Sequence, residues 1–419
     1  MEKLPKIFKI GQKLEGPHLG NLEARLNELM DQFGLSHKVK KGERIGLTAG
    51  SRGIRDKPLV LRTIVSRLRD LGAYPFIVPC MGSHGGGTAE GQVEVLASLG
   101  ITEESMGAPI VSSMDVEEIG QTRFGVPALV DRNLCHADKI VVVNRIKPHT
   151  DFEGEFESGL VKMMGIGMGK QKGASVIHRL ALKHGFPAVL SEAGSMILGR
   201  LPVLCGVGIV ENQHGQTALI DVLKPAELVE KEKRLLKEAR RLMHFLPFDP
   251  IDILIVDEMG KNISGSGMDT NIIGRCSVAG NSKPKRPLIV RIFVRDLTQE
   301  SHGNATGIGM ADYTTKRLID KIDYPAIKLN CITGMTPEDG RIPLYFQSDE
   351  EALFAAYENS GVLDPKDLRI VWIKNTLELD SLFASRVLID ETKANMQLRI
   401  LNKPFDLPFD QHGNLVSGW

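Results

Sequence analysis

The sequence predicts an α/β protein of two domains with mainly parallel sheets, and three observations carry that prediction. Apolar strand-like runs alternate with helix-like runs along the chain, the pattern of parallel strands joined by crossover helices. Glycine-rich clusters (GSRG, GSHGGG, GIGMGKQKG and GKNISGSG) fall near strand or helix ends, where they let backbone approach a ligand closely. At 419 residues the chain exceeds one ordinary hydrophobic core, so two domains are expected.

Residues 43–100 read as strand, loop and helix twice over. IGLTAG, SRGIRDK and a helix over about 58–72 come first, then PFIVPCMG, SHGGGT and a helix over about 88–99. DKIVVVNRI is a further strand that runs into KPHTDFEG, a helix opening at about Ala174 carries His178, and VLCGVGIVEN is a strand near 203–212. ELVEKEKRLLKEARRLMHF places Leu228, Leu235, Leu236 and Leu242 on or near one face of a long charged helix. It ends in the proline-flanked LPFDP, which sets the expected domains at 1–245 and 246–419. The second domain is expected to run as the strand IDILIVDEM, the loop GKNISGSGMDTN, the strand PLIVRIFVRDL, a helix over about 309–321 and the strand AIKLNCI. A helix near 350–359, the strand LRIVWIKN and a last helix near 381–396 complete it.

Lysine plus arginine and aspartate plus glutamate both number 52, a formal net charge of zero, which disfavours a nucleic-acid partner. No window approaches the roughly 18 to 20 consecutive apolar residues of a membrane span. The opening MEKLPKIFKIGQKLEG lacks the apolar core of a secretory signal. A soluble cytoplasmic protein without a membrane partner is therefore expected. The five cysteines are scattered without a C-x-x-C pair, so neither a disulfide framework nor a zinc knuckle is predicted.

In open parallel sheets ligands bind beyond the carboxyl ends of the strands, and Arg52, His84 and His149 each follow a predicted strand. The densest chemistry lies in KPHTDFEGEFESGLVKMMGIGMGKQKGASVIH, residues 147–178. Taken singly, each residue has a plain alternative: His149 capping a loop, Lys162 laying its stem on the core with its ammonium in water, His178 as a half-buried helix histidine. GMGKQKG does not close with G-K-[ST], so it is not a phosphate loop.

Together these residues resemble a known family. PH at 148–149, SGLVK at 158–162 and a histidine 16 residues after the lysine are similar to the core motif of nickel-dependent lactate racemases. GSHGGGT, with His84, resembles that family's G-T-H-R-P-x-T loop, and GSR at 50–52 resembles its T-R element. The resemblance implies that Lys162 anchors a pyridinium mononucleotide through a thioamide, in a pincer whose two sulfurs and one ring carbon hold nickel. It implies His178 as the fourth nickel ligand, in a square-planar, soft-donor site that suits nickel(II) better than tetrahedral zinc. His84 and His149 become the acid/base pair, Ser51 and Arg52 stand by the cofactor, and Arg52 pairs with a substrate carboxylate. The implied partners are a small 2-hydroxy acid and the enzymes that make the cofactor.

The expected reaction is racemisation or epimerisation by reversible hydride transfer. Removing a proton from the α-carbon would place a carbanion beside a carboxylate; removing hydride avoids it, and imidazoles, with ordinary pKa near 6.5, can move the hydroxyl proton either way. The chain departs from the family pattern in three places. His149 and Lys162 lie 13 residues apart, a longer interval, with Asp151, Glu153 and Glu155 between; GGG replaces R-P after His84; and Ala49 stands where an aspartate is expected. These point away from lactate toward a larger or polyhydroxylated 2-hydroxy acid. In the second domain, expected to close over an interdomain cleft, GKNISGSGMDTNIIGR offers Lys261, Asp269, Asn271 and Arg275, with Lys261 the candidate substrate contact. HGNATGIG, with His302, reads only as a loop. Two other readings stay open: a non-catalytic nucleotide- or metabolite-binding protein on the same fold, and a nicotinamide dehydrogenase, disfavoured by the missing G-x-G-x-x-G after the first strand.

Overall fold

The structure is a computed structural model that describes residues 4–14, 16–51, 53–276, 286–416 and 418–419. Its contacts divide the chain into two units, Gly16–Met243 and Met1–Glu15 with His244–Trp419. Residues 4–14, assigned from sequence to the first domain, thus lie with the second. The cause is strand β1 (Ile7–Gln12), whose buried Ile7, Phe8 and Ile10 pair antiparallel with Ser381–Ser385 on one side and Leu398–Ile400 on the other.

The unit Gly16–Met243 contains β2 (Arg44–Ala49), β3 (Tyr74–Pro79), β4 (Val116–Gln121), β5 (Pro127–Asp131), β6 (Lys139–Arg145), β7 (Val203–Glu211) and β8 (Thr217–Leu223). Five form one sheet in the order β3-β2-β6-β7-β8, parallel except for β8, while β4 and β5 pair as a separate antiparallel ribbon. Successive side chains on a strand point to opposite faces, and β6 shows it. Val141 and Val143 join the core under helices Leu22–Phe33 and Lys57–Asp70, whereas Ile140 and Val142 join the core under helices Lys170–His184, Phe186–Arg200 and Leu228–Arg241. Both faces are covered, which is why these strands read as continuous apolar runs. The order of β3, β2 and β6 brings the Gly50, His84 and His149 loops to one edge of the sheet, beyond its carboxyl ends.

The second unit contains β9 (Ile251–Met259), β10 (Ile289–Leu297), β11 (Tyr313–Thr315), β12 (Leu344–Phe346), β13 (Ile370–Ile373), β14 (Ser381–Ser385) and β15 (Leu398–Ile400). With β1 they form an eight-stranded sheet, β12-β11-β10-β9-β13-β14-β1-β15, parallel from β12 to β13 and antiparallel beyond. Both units are therefore α/β with mixed, mainly parallel sheets. Three local expectations in this unit are corrected. AIKLNCI lies inside the helix Tyr324–Gly334, not in a strand: Asp323 accepts the Ala326 N–H as its cap, Pro325 occupies the first turn, and the buried Ile327 and Cys331 stand one helical turn apart. The expected helix over 309–321 divides into β11 and the short helix Lys316–Ile319. The expected last helix opens as β14, whose Leu382, Phe383 and Ala384 are all buried, and only Ile389–Ala394 is α-helical. No helix among the described residues is long and apolar enough to cross a membrane.

Candidate functional site

The loop after β6 is folded around one buried carboxylate. Lys147 and Ser158 exchange backbone hydrogen bonds of 2.9 and 3.2 Å, closing residues 148–157 into a loop. Inside it Glu157 accepts the backbone N–H of His149 at 2.6 Å and of Gly154 at 3.2 Å, and it pairs with Arg240 from the helix Leu228–Arg241. The longer interval between His149 and Lys162 is thus an ordered turn, and Glu157, buried at 1% exposure, is its hub. The side chain of His149 is oriented in turn: its Nδ1 accepts the Asp151 N–H at 2.9 Å, and its Nε2 meets the Nζ of Lys162.

Lys162 ends a single helical turn, Leu160–Lys162, whose start is capped from outside by Glu232. The Glu232 carboxylate accepts the Val161 N–H at 2.9 Å. A Cβ on Gly159 would sit 1.9 Å from Glu232 Oε1, so only glycine lets the carboxylate reach the turn. After Lys162 the backbone widens into a π-helical turn, Met163–Gly167, closed by Met168 N–H on Met163 O at 2.9 Å. Such turns recur at functional sites because they redirect side chains that an α-helix would keep in register.

Burial pushes the carboxyl of Glu232 up to about 7, against the opposing pull of the Val161 and Leu160 N–H groups. Its ordinary value in the unfolded chain is 4.5, so the folded protein holds this proton more tightly. The associated stability is complete below pH 4.5 and is lost as pH rises to about 7. From the size of the shift, about 3 kcal/mol should disappear over that window. Urea unfolding of Glu232→Gln should lack this slope; parallel pH profiles for variant and wild type would show that Glu232 does not titrate there.

A ladder of rings joins the three candidate residues of this region. His149 stacks on Phe152 at 4.3 Å, Phe152 stacks on Phe186 at 4.4 Å with planes 7° apart, and Phe186 meets the edge of His178 at 5.6 Å. Lys162 Nζ lies 5.9 Å from the centre of the Phe152 ring. The structure therefore brings His149, Lys162 and His178 onto one phenyl-lined wall. Sequence reasoning overlooked both phenylalanines, since an isolated Phe reads as core.

His84 stands on a different loop, exposed at the end of β3, with its carbonyl accepting from Gln92 Nε2 at 3.4 Å. Ser51 follows β2 and is partly exposed, while Arg52 lies outside the described residues. Beside them is a residue that no sequence signal singled out. Lys57 is buried, donates to Gly50 O at 2.7 Å, and is pushed down to about 7 by burial and by Arg145, with Glu211 opposing. In the second unit the Lys261 ammonium donates to Gly265 O at 2.7 Å, and its backbone N–H donates to Ser301 Oγ at 2.9 Å. Asp269 caps the short helix Thr270–Ile273, and Arg275 pairs with Asp312 at 2.7 Å, so these two hold structure.

Residues 17–186 match the family model described as the lactate racemase N-terminal domain. That span contains Ser51, Arg52, His84, His149, Lys162 and His178, and it excludes Lys261. Among solved structures, a protein from Thermotoga maritima determined in a structural genomics programme is similar over 86% of this chain and 97% of its own, with a TM-score of 0.53 and 14% identity. At that identity the likeness speaks for the fold alone. The lactate racemase apoprotein from Thermoanaerobacterium thermosaccharolyticum aligns over 88% of each chain at 13% identity with a TM-score of 0.47. No curated protein matches the sequence.

Proposed function

From the match of residues 17–186 to the lactate racemase N-terminal domain, we propose that this chain is a member of the lactate racemase family that racemises or epimerises a 2-hydroxy carboxylic acid. The reaction is reversible hydride transfer to a nickel-pincer nucleotide tethered at Lys162. The observation that carries the proposal is the gathering of His149, Lys162 and His178 along the Phe152–Phe186 stack.

The donor set suits that cofactor. Lys162 offers one primary amine and His178 one imidazole, and among the described residues no group of three or more His, Cys, Asp or Glu could hold a metal unaided. A nickel ion here needs its other donors from a non-protein group, the division that a tethered pincer makes.

When bound, the group supplies a reversible hydride acceptor. The chain's residues move protons and orient the substrate. With His149 Nδ1 accepting from the Asp151 backbone, the proton of the neutral ring lies on Nε2, so Nε2 is the nitrogen that gives a proton, and taking one there requires the Nδ1 contact to be released and the ring to change tautomer. His84 serves as the second acid/base group, Arg52 holds the carboxylate, and Ser51 stands by the nucleotide. The acidic 151–157 loop favours a substrate carrying further hydroxyl groups over lactate itself, since carboxylates and backbone carbonyls accept hydrogen bonds from them.

The test uses protein produced together with the cofactor-making enzymes and supplied with nickel. Single enantiomers of a panel of 2-hydroxy acids, from lactate to sugar acids, are incubated and followed by chiral chromatography. At least one should drift to its racemic or epimeric mixture. If protein carrying both nickel and the nucleotide interconverts none, the assignment fails.

A further inference from the structure

The His84 loop has no regular secondary structure beyond a single GGG turn, yet it is tied to the interior by a network that the proposed chemistry does not use. We propose that Lys170 is a positioning residue, which with Gln92 and Asp131 sets the place of His84 relative to the helix that carries His178. The functional weight of this inference rests on the acid/base reading of His84; the structural claim stands on its own.

Lys170, Gln92 and Asp131 are each 0% exposed. The Lys170 ammonium meets three acceptors: the Pro79 carbonyl at the end of β3, Gln92 Oε1 at 3.2 Å and Asp131 Oδ2 at 3.2 Å. Two of its N–H groups donate to Pro79 O and Gln92 Oε1, and the Asp131 carboxylate balances its charge as an ion pair. Gln92 passes the constraint on: its Nε2 donates to Gly82 O at 2.9 Å and His84 O at 3.4 Å, holding the loop on both sides of Ser83. Asp131 secures the other end, where Oδ1 accepts the N–H groups of Asn133 and Leu134 and its own N–H donates to Met168 O at 2.7 Å. One cation thus joins β3, the His84 loop and the end of β5 to the start of the helix Lys170–His184.

Two further observations support a purpose beyond filling space. Lys170 has φ +54°, a left-handed conformation that costs energy in a residue with a side chain and persists only where surroundings enforce it. The loop and the helix Lys170–His184 also touch directly: a Cβ on Gly87 would lie 2.9 Å from Gln171 Oε1. His178 follows Lys170 by eight residues, about 12 Å along a helix rising 1.5 Å per residue. A helix is stiff over that length, so fixing its first residue to the His84 loop fixes the relation of His84 to His178.

The test compares Lys170→Met and Gln92→Met with the wild type. Lys170→Met strands a buried aspartate and can prevent folding; Gln92→Met removes the loop's anchor while leaving the Lys170–Asp131 pair, so it decides the matter if the first variant does not fold. Amide hydrogen exchange and the carbethoxylation rate of His84 are read in protein without cofactor. Exchange over residues 82–88 should rise by about tenfold or more, as for a loop released from the interior, and His84 should react faster, with residues 149–157 unchanged. In loaded protein the same variants should keep the Lys162 adduct and nickel while kcat falls and KM holds. Unaltered exchange at 82–88 in folded Gln92→Met, or an equal rise throughout the unit, overturns the proposal. A missing adduct in wild-type protein would instead count against the proposed function and leave the exchange result standing.

Discussion

Lys162→Ala, produced beside the cofactor-making enzymes, is expected to carry no nucleotide and to lose interconversion of 2-hydroxy acid enantiomers down to background, a fall on the order of 10⁴-fold or more. The expectation follows from covalency. A tethered group depends on one nucleophilic nitrogen, and no neighbouring contact restores an absent bond. Lys162→Arg separates the charge from the nucleophile: it keeps a cation near Phe152 and His149 but supplies no amine for a thioamide, so it should fail equally. Neither change should unfold the unit. The turn Leu160–Lys162 is held by backbone contacts to Glu232, and the side chain of Lys162 is only partly buried. Intact-mass spectrometry reads the adduct and metal analysis reads the nickel. Nucleotide retained by Lys162→Ala would move the anchor elsewhere; wild-type protein without nucleotide from the same host would remove the cofactor from the proposal.

The parts of this site that were legible in the sequence are those whose chemistry is rare: a lysine among apolar residues, and histidines placed after strands. Their spacing carried the resemblance, and apolar patterning was enough for four of the five strands of the first unit's sheet, because β2, β3, β6 and β7 are buried on both faces and read as unbroken apolar runs, whereas β8 was not read. What stayed hidden is the support. Glu232 sits in a helix whose sequence, LVEKEKRLLKEARR, reads as a solvated charged surface, yet its carboxylate is buried against the Lys162 turn. Glu157, Lys170 and Lys57 likewise look like surface charges, since one sequence holds no local mark of a charge that the fold will bury; the ion-pair partner of Glu157, Arg240, lies 83 residues on. The strand expected at AIKLNCI failed for a different reason: the capping signal in Asp323 and Pro325 outweighs the apolar pattern that follows.

Replacing either imidazole should separate proton transfer from cofactor binding. His149→Gln and His84→Gln are each expected to lower kcat by about 10² to 10⁴-fold, the range for loss of a positioned acid or base, while the Lys162 adduct and nickel are retained. The value of kcat/KM must fall equally in the two directions, because an enzyme variant cannot change the equilibrium between enantiomers, whereas kcat alone is free to differ. A one-sided loss in initial rates would mean that product release, rather than proton transfer, had become limiting. Isotope labelling then distinguishes hydride transfer from proton abstraction. In substrate deuterated at the α-carbon, hydride transfer returns the same deuterium to the product, whereas an abstracted deuteron exchanges with water. Retention of the label by wild-type protein, with slower but equally retentive turnover in both variants, is the expected result. The two variants should differ in one respect. His149 is held by Asp151, Glu157 and the Phe152 ring, so its replacement should also disturb the 149–157 loop; His84 is exposed on its loop, and its replacement should leave stability within about 0.5 kcal/mol of wild type. Undiminished turnover in either variant, with adduct and nickel present, would remove that histidine from the acid/base pair, and loss of the label to solvent would replace hydride transfer with a carbanion mechanism.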